Sequence, residues 1–562
     1  MDKRWVIKPY DPKLQQEFSN ALSIHPVIAQ LLINRQICTV EQARRFLNAD
    51  LSMLFNPFLL TDMDRAVERI QQAQVKNEKI LIYGDYDVDG VTSSALLRRT
   101  LKRLGITAVN YIPHRMEEGY GLNLAIVDFA KNLGVNLIIT VDCGINAFAP
   151  IEAITAAGID VIVIDHHEPD GDKIPHALAV IDPKRPDCLY PFKHLSAVGL
   201  VAKLAQAIFG HVPEEDLDLV AMGTVADVVS LRCENRIFVK KGLPLIEQSK
   251  KHGVQALLEI SKIAGKKMKP YYIGFILGPR LNAAGRMNSA NISLDLLLSE
   301  DPIEAAALAQ SLEEHNLTRQ KMQSTVVEEA LALIEADEEG MKNQPIIVVH
   351  KQGWHKGVLG IVASRIVDKY YRPTIVISVE DGFGTGSARS IEGFHLNEAL
   401  TSCAALLENF GGHKRAAGLR LREENITQLR ADINDYASGI LKDQEFVATL
   451  DIDCEIPLSS VDMPMVELIA SMEPHGEGNP PVMFCTKGLT VKSAPMALGK
   501  DTLKFWVTDG QKSYSAVGFG FASMKSQIKM GSHLDLAYSL GIDDWNKAPT
   551  VQLVIKDIKL RE

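Results

Sequence analysis

Cysteine is scarce and scattered in this chain of 562 residues: seven thiols, none in a C-x-x-C pair. That pattern argues against a zinc ribbon and against a disulfide framework, and it fits a reducing cytosol. Long apolar runs are missing too. None approaches 18 residues, so no membrane span is expected. The opening stretch MDKRWVIKPYDPK has no apolar signal core, so export is not expected and the cytoplasm is the expected compartment. What is present is ordinary for a globular chain, 46% hydrophobic and 23% charged, which excludes wholesale disorder, collagen and a coiled-coil rod. At roughly 150 residues per domain the length predicts three or four domains.

A net charge of −10 speaks at first against a polyanionic partner, but its distribution matters more. Residues 291–340 hold twelve acids against Arg319 and Lys321, so the remainder of the chain sums to zero. Residues 231–270 carry ten Lys/Arg against three Glu, and Arg98, Arg99, Lys102 and Arg103 form a second basic cluster. Each run is also what a solvated face looks like. Local patches rather than the global balance set the field a phosphate backbone meets, so nucleic acid stays open as a partner.

Residues 79–183 alternate short β-branched runs (79–84, 108–113, 135–142, 160–166, 177–183) with helix-like stretches at 92–104 and 123–133. That alternation predicts a doubly wound parallel sheet. A long acidic helix is predicted over 301–337. Asp301 can cap it, Pro302 suits its first turn, Glu304 sits at the capping-box position, and Leu308, Leu312, Met322, Val326, Ala330 and Leu333 recur near a helical period. A helix so acidic reads as a strut between domains. A second α/β region follows at about 345–440. From about 445 onward, alternating strands such as 447–456, 503–508, 534–540 and 551–560 predict a small β-barrel of the OB type. The first fifty residues read as helical.

The segment Tyr83-Gly-Asp85-Tyr-Asp87-Val-Asp89-Gly90 places three carboxylates on alternate positions just after a strand. Their repulsion raises their pKa values unless a cation or hydrogen bonds compensate. An EF-hand loop shares this opening, but needs a Glu at position twelve, where Leu96 stands here, and is entered by a helix. Two further strands end in acids, at Asp142-Cys143-Gly144 and at Asp165-His166-His167. Ligands of parallel α/β sheets bind at the carboxyl ends of the strands, so Asp85, Asp87, Asp142, His166 and His167 are expected to converge. Mixed carboxylate and imidazole donors suit Mg²⁺ or Mn²⁺. Asp227 lies in the otherwise apolar run 219–231, where a buried ion pair and a metal ligand are equally good readings.

Together GDYDVDG, VDCG, DHH and GTVADVV resemble the DHH phosphoesterases, and Gly411-Gly-His413-Lys-Arg-Ala416-Ala417-Gly418 resembles the GGHxxAAG signature of their DHHA1 domain. The segments Gly278–Arg286 (GPRLNAAGR) and Trp354–Gly360 (WHKGVLG) are similar to those of one branch, the bacterial single-strand-specific exonucleases. The resemblance runs from about residue 25 to the C-terminal region. One departure is Tyr83, where some relatives carry a His as an extra ligand.

The resemblance implies two α/β lobes joined by a long helix, a DHH parallel-sheet lobe and a DHHA1 lobe, followed by an OB-like barrel. The boundaries are 1–50 for an N-terminal helical region, 51–290 for the catalytic DHH domain, 291–340 for the connecting helix, 341–444 for DHHA1 and 445–562 for the barrel. It implies two Mn²⁺ or Mg²⁺ ions held by Asp85, Asp87, Asp142, His166 and Asp227. Asp142 would bridge, with Asp85 on one ion and Asp87, His166 and Asp227 on the other. His167 would touch the scissile phosphate or donate a proton, and Asp89 would support the loop. Ser387 and Arg389, opposite Arg115, would hold a terminal phosphate, with His413, Arg280 and Arg286 as further substrate contacts; pairing with the acidic helix is the alternative for both of the last two. The implied activity is 5′ to 3′ hydrolysis of single-stranded DNA to mononucleotides in repair and recombination, by a monomer that works with a helicase and a single-strand-binding protein. One or two of the tail aromatics Phe505, Trp506, Tyr514, Tyr538 and Trp545 would contact DNA. The alternatives are a phosphodiesterase for short oligonucleotides or cyclic dinucleotides, which needs no strand-tracking barrel, and a catalytically silent DNA-binding scaffold.

Overall fold

The computed structural model describes residues 3–114, 118, 121–287, 289–337, 340–441, 446–499, 501–543 and 549–561. Five parallel strands, Ile80–Gly84, Ala108–Tyr111, Leu137–Val141, Asp160–Ile164 and Ala179–Ile181, form the first sheet. Ile80–Gly84 lies between Ala108–Tyr111 and Leu137–Val141, with Asp160–Ile164 and then Ala179–Ile181 beyond. Every residue of Ile80–Gly84 and Leu137–Val141 is buried, as continuous apolar runs demand when helices cover both faces. Because adjacent strands run in register, Gly84 beside Val141 and Val141 beside Ile164, their carboxyl ends finish at one level. That alignment is what collects the acids.

Helix Pro302–Ala336 follows the first lobe, capped by Asp301, whose carboxylate accepts from the Ile303 amide at 2.8 Å. Its first half buries Ala305, Ala309 and Leu312 in the core of the first lobe. Its second half buries Val326, Ala330 and Ile334 against the second. The strut is therefore glued at both ends. Ile334, rather than the expected Leu333, points inward; Leu333 is exposed.

The second lobe carries a mixed five-stranded sheet in which Phe383–Arg389 runs between Thr374–Glu380 and Ala416–Arg422. The tail forms a seven-stranded closed sheet. Strands Phe484–Val491 and Ser513–Phe519 join Thr502–Thr508, His533–Asp543 and Thr550–Leu560 around a core containing Phe484, Leu503, Phe505 and Tyr538.

The N-terminal region is mainly helical, and its core is shared with the barrel. A strand, Arg4–Ile7, opens it and pairs in parallel with Thr449–Ile452. The three helices that follow bury Phe18, Ile28, Leu31, Leu32 and Phe46 in the same core as the barrel. Arg236 ties this composite to the first lobe. Fully buried, it stacks on the Phe46 ring at 3.8 Å and donates to the carbonyls of Phe46, Met472 and Glu473.

Candidate metal centre and substrate contacts

Each acid arrives at the pocket by a different local device. Asp85 ends the first strand. Two residues on, the Asp87 carboxylate caps helix Val88–Arg103, accepting from the amides of Asp89 at 2.9 Å and Gly90 at 3.1 Å. Position 90 must be glycine, since a Cβ there would lie 2.4 Å from the Asp85 carbonyl oxygen. Asp142 follows its strand with φ of 63°, a left-handed conformation that Asp tolerates better than most residues. Asp227 caps the carboxyl end of helix Leu217–Ala226. Gly223 lets that helix close on the loop, for a Cβ there would meet Thr92 Oγ1 at 2.3 Å and Asp89 Oδ1 at 2.9 Å.

The donors converge. Asp85, Asp87 and Asp142 offer ligand atoms within 4.8 Å of one another, as do Asp142, His166 and His167, and as do Asp89, His166 and Asp227. Asp142 and His166 each belong to two of these groups. Asp87 is grouped with Asp85 and Asp142, and its charge also acts on Asp227.

Electrostatics make the same point. Burial and the neighbouring Asp87, Asp89 and Asp227 push the Asp142 carboxyl well above its ordinary value. Burial, Asp89 and Asp87 do the same to Asp227, and burial with Asp87 pushes Asp89 to about 7. Burial, reinforced by His167, lowers His166 to about 3, so its imidazole is neutral, the form that binds metal. Among the described residues its buried Nε2 makes no hydrogen bond, yet it lies 3.2 Å from Asp142 Oδ1 and 3.6 Å from Asp227 Oδ2. A divalent cation among these atoms would take up the nitrogen lone pair and relieve the crowding of charge that raises both carboxyls. The donor set fits Mn²⁺ or Mg²⁺.

Asp165 does the work that sequence reasoning left unassigned. Its carboxylate accepts from the amides of Ile145, His166 and His167 and bonds the His167 ring at 2.7 Å. Burial opposes its charge, but His167 and these bonds hold it down at about 2. Burial likewise opposes charge on His167, and Asp165 overcomes it, raising the imidazole to about 9. The signal was available, because Asp165 ends a strand just as Asp85 and Asp142 do. Asp89 takes the supporting role expected of it, accepting from the Ala197 and Val198 amides at 2.7 and 2.9 Å and fastening the loop to helix Ala197–Phe209. Tyr83 is no ligand. Its hydroxyl donates to the Gly121 carbonyl at 2.9 Å and its ring stacks on Tyr111 of the neighbouring strand.

Sheet register joins two segments that lie apart in sequence. Ser387 sits beside Gly418 and Arg389 beside Ala416, so the GTGSAR strand and the GGHKRAAG hairpin form one surface. Gly360 completes it, since a Cβ there would meet Arg389 Nη2 at 2.8 Å and Ser387 Oγ at 3.1 Å. From the first lobe Arg286 donates to the Gly357 carbonyl at 3.1 Å, and the neighbouring Gly285 packs on the Tyr86 backbone. A continuous line of contacts thus runs from the acidic loop to Ser387 and Arg389. His413 is exposed at the hairpin tip, where Gly412 has φ of 141°. Arg280 points to the acidic helix, pairing with Glu313 at 2.6 Å; for this residue the ion-pair alternative is the one the geometry displays. Arg115 lies outside the described residues.

The basic cluster is likewise occupied internally: Arg99 and Arg103 pair with Asp216, and Lys102 with Glu300. In the barrel, Phe505 and Tyr538 are core residues and the Tyr514 hydroxyl donates to the Val461 carbonyl, whereas Trp506 is 46% exposed. Trp545 lies outside the described residues. No helix among those described is long and apolar enough to cross a membrane.

Family models match in three places: the DHH family N-terminal domain over residues 79–224, the DHHA1 domain over 343–439 and the RecJ OB domain over 452–557. The chain is 38% identical over 562 residues to the single-stranded-DNA-specific exonuclease RecJ of Bacillus subtilis, covering 100% of this chain and 71% of that protein. Identity to the RecJ of Dickeya dadantii is 34% over 561 residues, covering 95% and 96%. The crystal structure of Thermus thermophilus RecJ in complex with Mn²⁺ superposes with a TM-score of 0.85 at 29% identity, covering 100% of this chain and 80% of that one. For the complex with Mg²⁺ the TM-score is 0.78 at 28% identity, with coverage of 100% and 79%.

Proposed function

The chain belongs to the RecJ family of single-stranded-DNA-specific exonucleases, and we propose that it removes mononucleotides from the 5′ end of its strand. Supporting this reading is one observation above the others: three strand ends and one helix end deliver carboxylates and a neutral imidazole to a single buried pocket.

In this reading Asp85, Asp87, Asp142, His166 and Asp227 hold two Mn²⁺ or Mg²⁺ ions. When bound, such ions neutralise phosphate charge and lower the pKa of water. His167, kept charged by Asp165, offers its Nε2 proton to a phosphate oxygen or to the departing 3′ oxygen. Asp89 holds the loop against helix Ala197–Phe209, so the carboxylates cannot swing apart when charge is added. Ser387 contributes a hydroxyl and Arg389 a guanidinium to the terminal phosphate, with Arg286 and His413 lining the approach. Residues 51–290 act as the catalytic lobe, 291–340 as the strut, 341–444 as the end-recognition lobe and 445–562 as the strand-holding barrel. The setting is the cytoplasm, as a monomer, with a helicase opening duplex and a single-strand-binding protein covering the product strand.

Digestion of single strands labelled at one end or the other, with Mn²⁺ and Mg²⁺ compared in parallel, tests the reading. The expected result is prompt release of the 5′ label as a mononucleotide, with the 3′ label persisting in a shrinking strand. Prompt release of the 3′ label as a mononucleotide overturns the polarity.

A further inference from the structure

Four neighbouring strands of the first sheet end in a row: Ile80–Gly84, Leu137–Val141, Asp160–Ile164 and Ala179–Ile181. The first three lead into the acids and imidazoles of the pocket. The fourth runs in register with its neighbour, Ile181 beside Ile164, so its carboxyl end finishes at the same level. Asp182-Pro183-Lys184-Arg185 follows it, and none of the roles above uses this turn.

Asp182 is fully buried, and its Oδ1 accepts from the Lys184 amide at 2.7 Å. A carboxylate that accepts from the amide two residues on, with a proline between, fixes the backbone of the turn. Arg185 holds the turn down. Its guanidinium pairs with Asp62 and Asp187, each at 2.7 Å, and donates to the Val180 carbonyl. Lys184 is left at the rim. Its side chain is 20% exposed, and its ammonium pairs at 3.2 Å with Glu168, a carboxylate that is 67% exposed and follows His167 directly. The charge of Lys184 reaches into the pocket. It adds to burial and His167 in lowering His166, and it offsets part of the rise that burial, Asp89 and Asp87 impose on Asp227. An ion pair with so exposed a carboxylate contributes little, so a better-placed anion can take the ammonium from it.

The order of the row says which anion. In the functional reading above, on which this inference rests, Ser387 and Arg389 meet the terminal phosphate. Contacts run from them through Arg286 and Gly285 to the loop that follows Ile80–Gly84. The cleaved bond lies over the metal pocket. A strand so placed continues along the row, away from its terminus and toward Ala179–Ile181, three strand spacings or about 14 Å from Ile80–Gly84. We propose that Lys184 exchanges Glu168 for the phosphate that follows the cleaved bond. This lysine then holds the remaining strand while the terminal nucleotide is removed.

The test uses the full-length protein with Mn²⁺ and a 5′-phosphorylated trinucleotide whose second linkage is either a phosphodiester or an uncharged methylphosphonate. The first linkage, the one that is cut, is the same in both. The parent should favour the charged second linkage in kcat/KM by about tenfold, the low end for a charge-assisted hydrogen bond. Lys184→Met should remove that preference, and Lys184→Arg should keep most of it. Glu168→Gln frees the ammonium and should raise the preference by about two- to fivefold. In the Lys184→Met background it should change nothing. Because Glu168 is exposed, its substitution reads out the exchange without disturbing the turn. A Lys184→Met variant with the parental preference leaves an ordinary surface ion pair and overturns the inference. So does one that slows both trinucleotides equally, which moves the action of the charge to the metal pocket. A parent without preference, or a Glu168→Gln variant that matches its parent, overturns it as well. If the parent releases no 5′ mononucleotide from these or from longer single strands, the exonuclease reading fails first and carries this inference with it.

Discussion

In the proposed reading, the two lobes would meet phosphate by opposite means. In the first, Asp89, Asp142 and His166 are almost wholly buried, their charges and lone pairs set against one another. In the second, Ser387 and Arg389 are half-buried on one sheet surface and His413 is exposed. Groups inside the pocket have no water to replace a missing partner, whereas groups on the sheet surface do. Loss of one pocket group should therefore be felt as loss of the reaction, and loss of one surface group as loss of preference.

The largest effect should come from Asp142→Asn, which keeps a residue at ease with φ of 63° while removing the central charge. Its kcat on single-stranded DNA should fall by about 10³-fold or more, given the several kcal/mol that metal ions supply. Thermal melting sharpens the point. Without metal the variant should melt no lower than the parent, because a crowded carboxylate is gone, and Mn²⁺ should raise the parent's Tm but not the variant's. Activity within about tenfold of the parent would break the pocket side of the comparison.

Next comes His167→Ala, expected to cost about 10²-fold in kcat, in the ordinary range for a positioned proton donor, with Mn²⁺-induced stabilisation retained. An equal loss of metal stabilisation would move His167 from proton donor to ligand.

Arg389→Ala should act on preference. Charge-assisted hydrogen bonds contribute about 1.5–3 kcal/mol, so kcat/KM for 5′-phosphorylated over 5′-hydroxyl strands should fall by about ten- to a hundredfold. Equal slowing of both substrates would make Arg389 a general backbone contact.

The smallest effect is assigned to Trp506→Ala in the barrel. One exposed ring is expected to change affinity for long strands by about fivefold, the low end of base stacking. Unaltered affinity would remove this face of the barrel from the strand's path.

Much of the pocket was legible because strand–acid junctions advertise themselves. A parallel strand is an unbroken apolar run, so Asp85, Asp142 and Asp165 stand out as the places where such runs stop. The sharing of work between Asp165 and His167 was not legible, since a hydrogen bond between residues two apart leaves no pattern. Nor was the contact between Ser387 and Gly418, which depends on antiparallel register across some thirty intervening residues. For Arg280 the sequence left two partners open, and which one it meets here, Glu313 of the acidic helix, depends on how that helix lies against the first lobe. The N-terminal region was the least readable. Its helices carry apolar faces whose partner is encoded more than four hundred residues later. For the same reason deletion from residue 450 onward is a poor probe of the barrel, because it strips the N-terminal helices of their core and Arg236 of its acceptors at Met472 and Glu473.

That shared core also sets a timetable for biosynthesis. The helices between Pro12 and Asn48 leave the ribosome before the strands that bury their apolar faces. At about 5–20 residues per second, the interval is roughly 20 to 80 seconds. Throughout it Phe18, Leu31, Leu32 and Phe46 have no native surface to cover them, while the two lobes between fold as units. The nascent chain therefore carries a sticky segment until those strands emerge, and chaperone occupancy on ribosome-bound chains should be highest on these helices and should fall once Thr550–Leu560 is released.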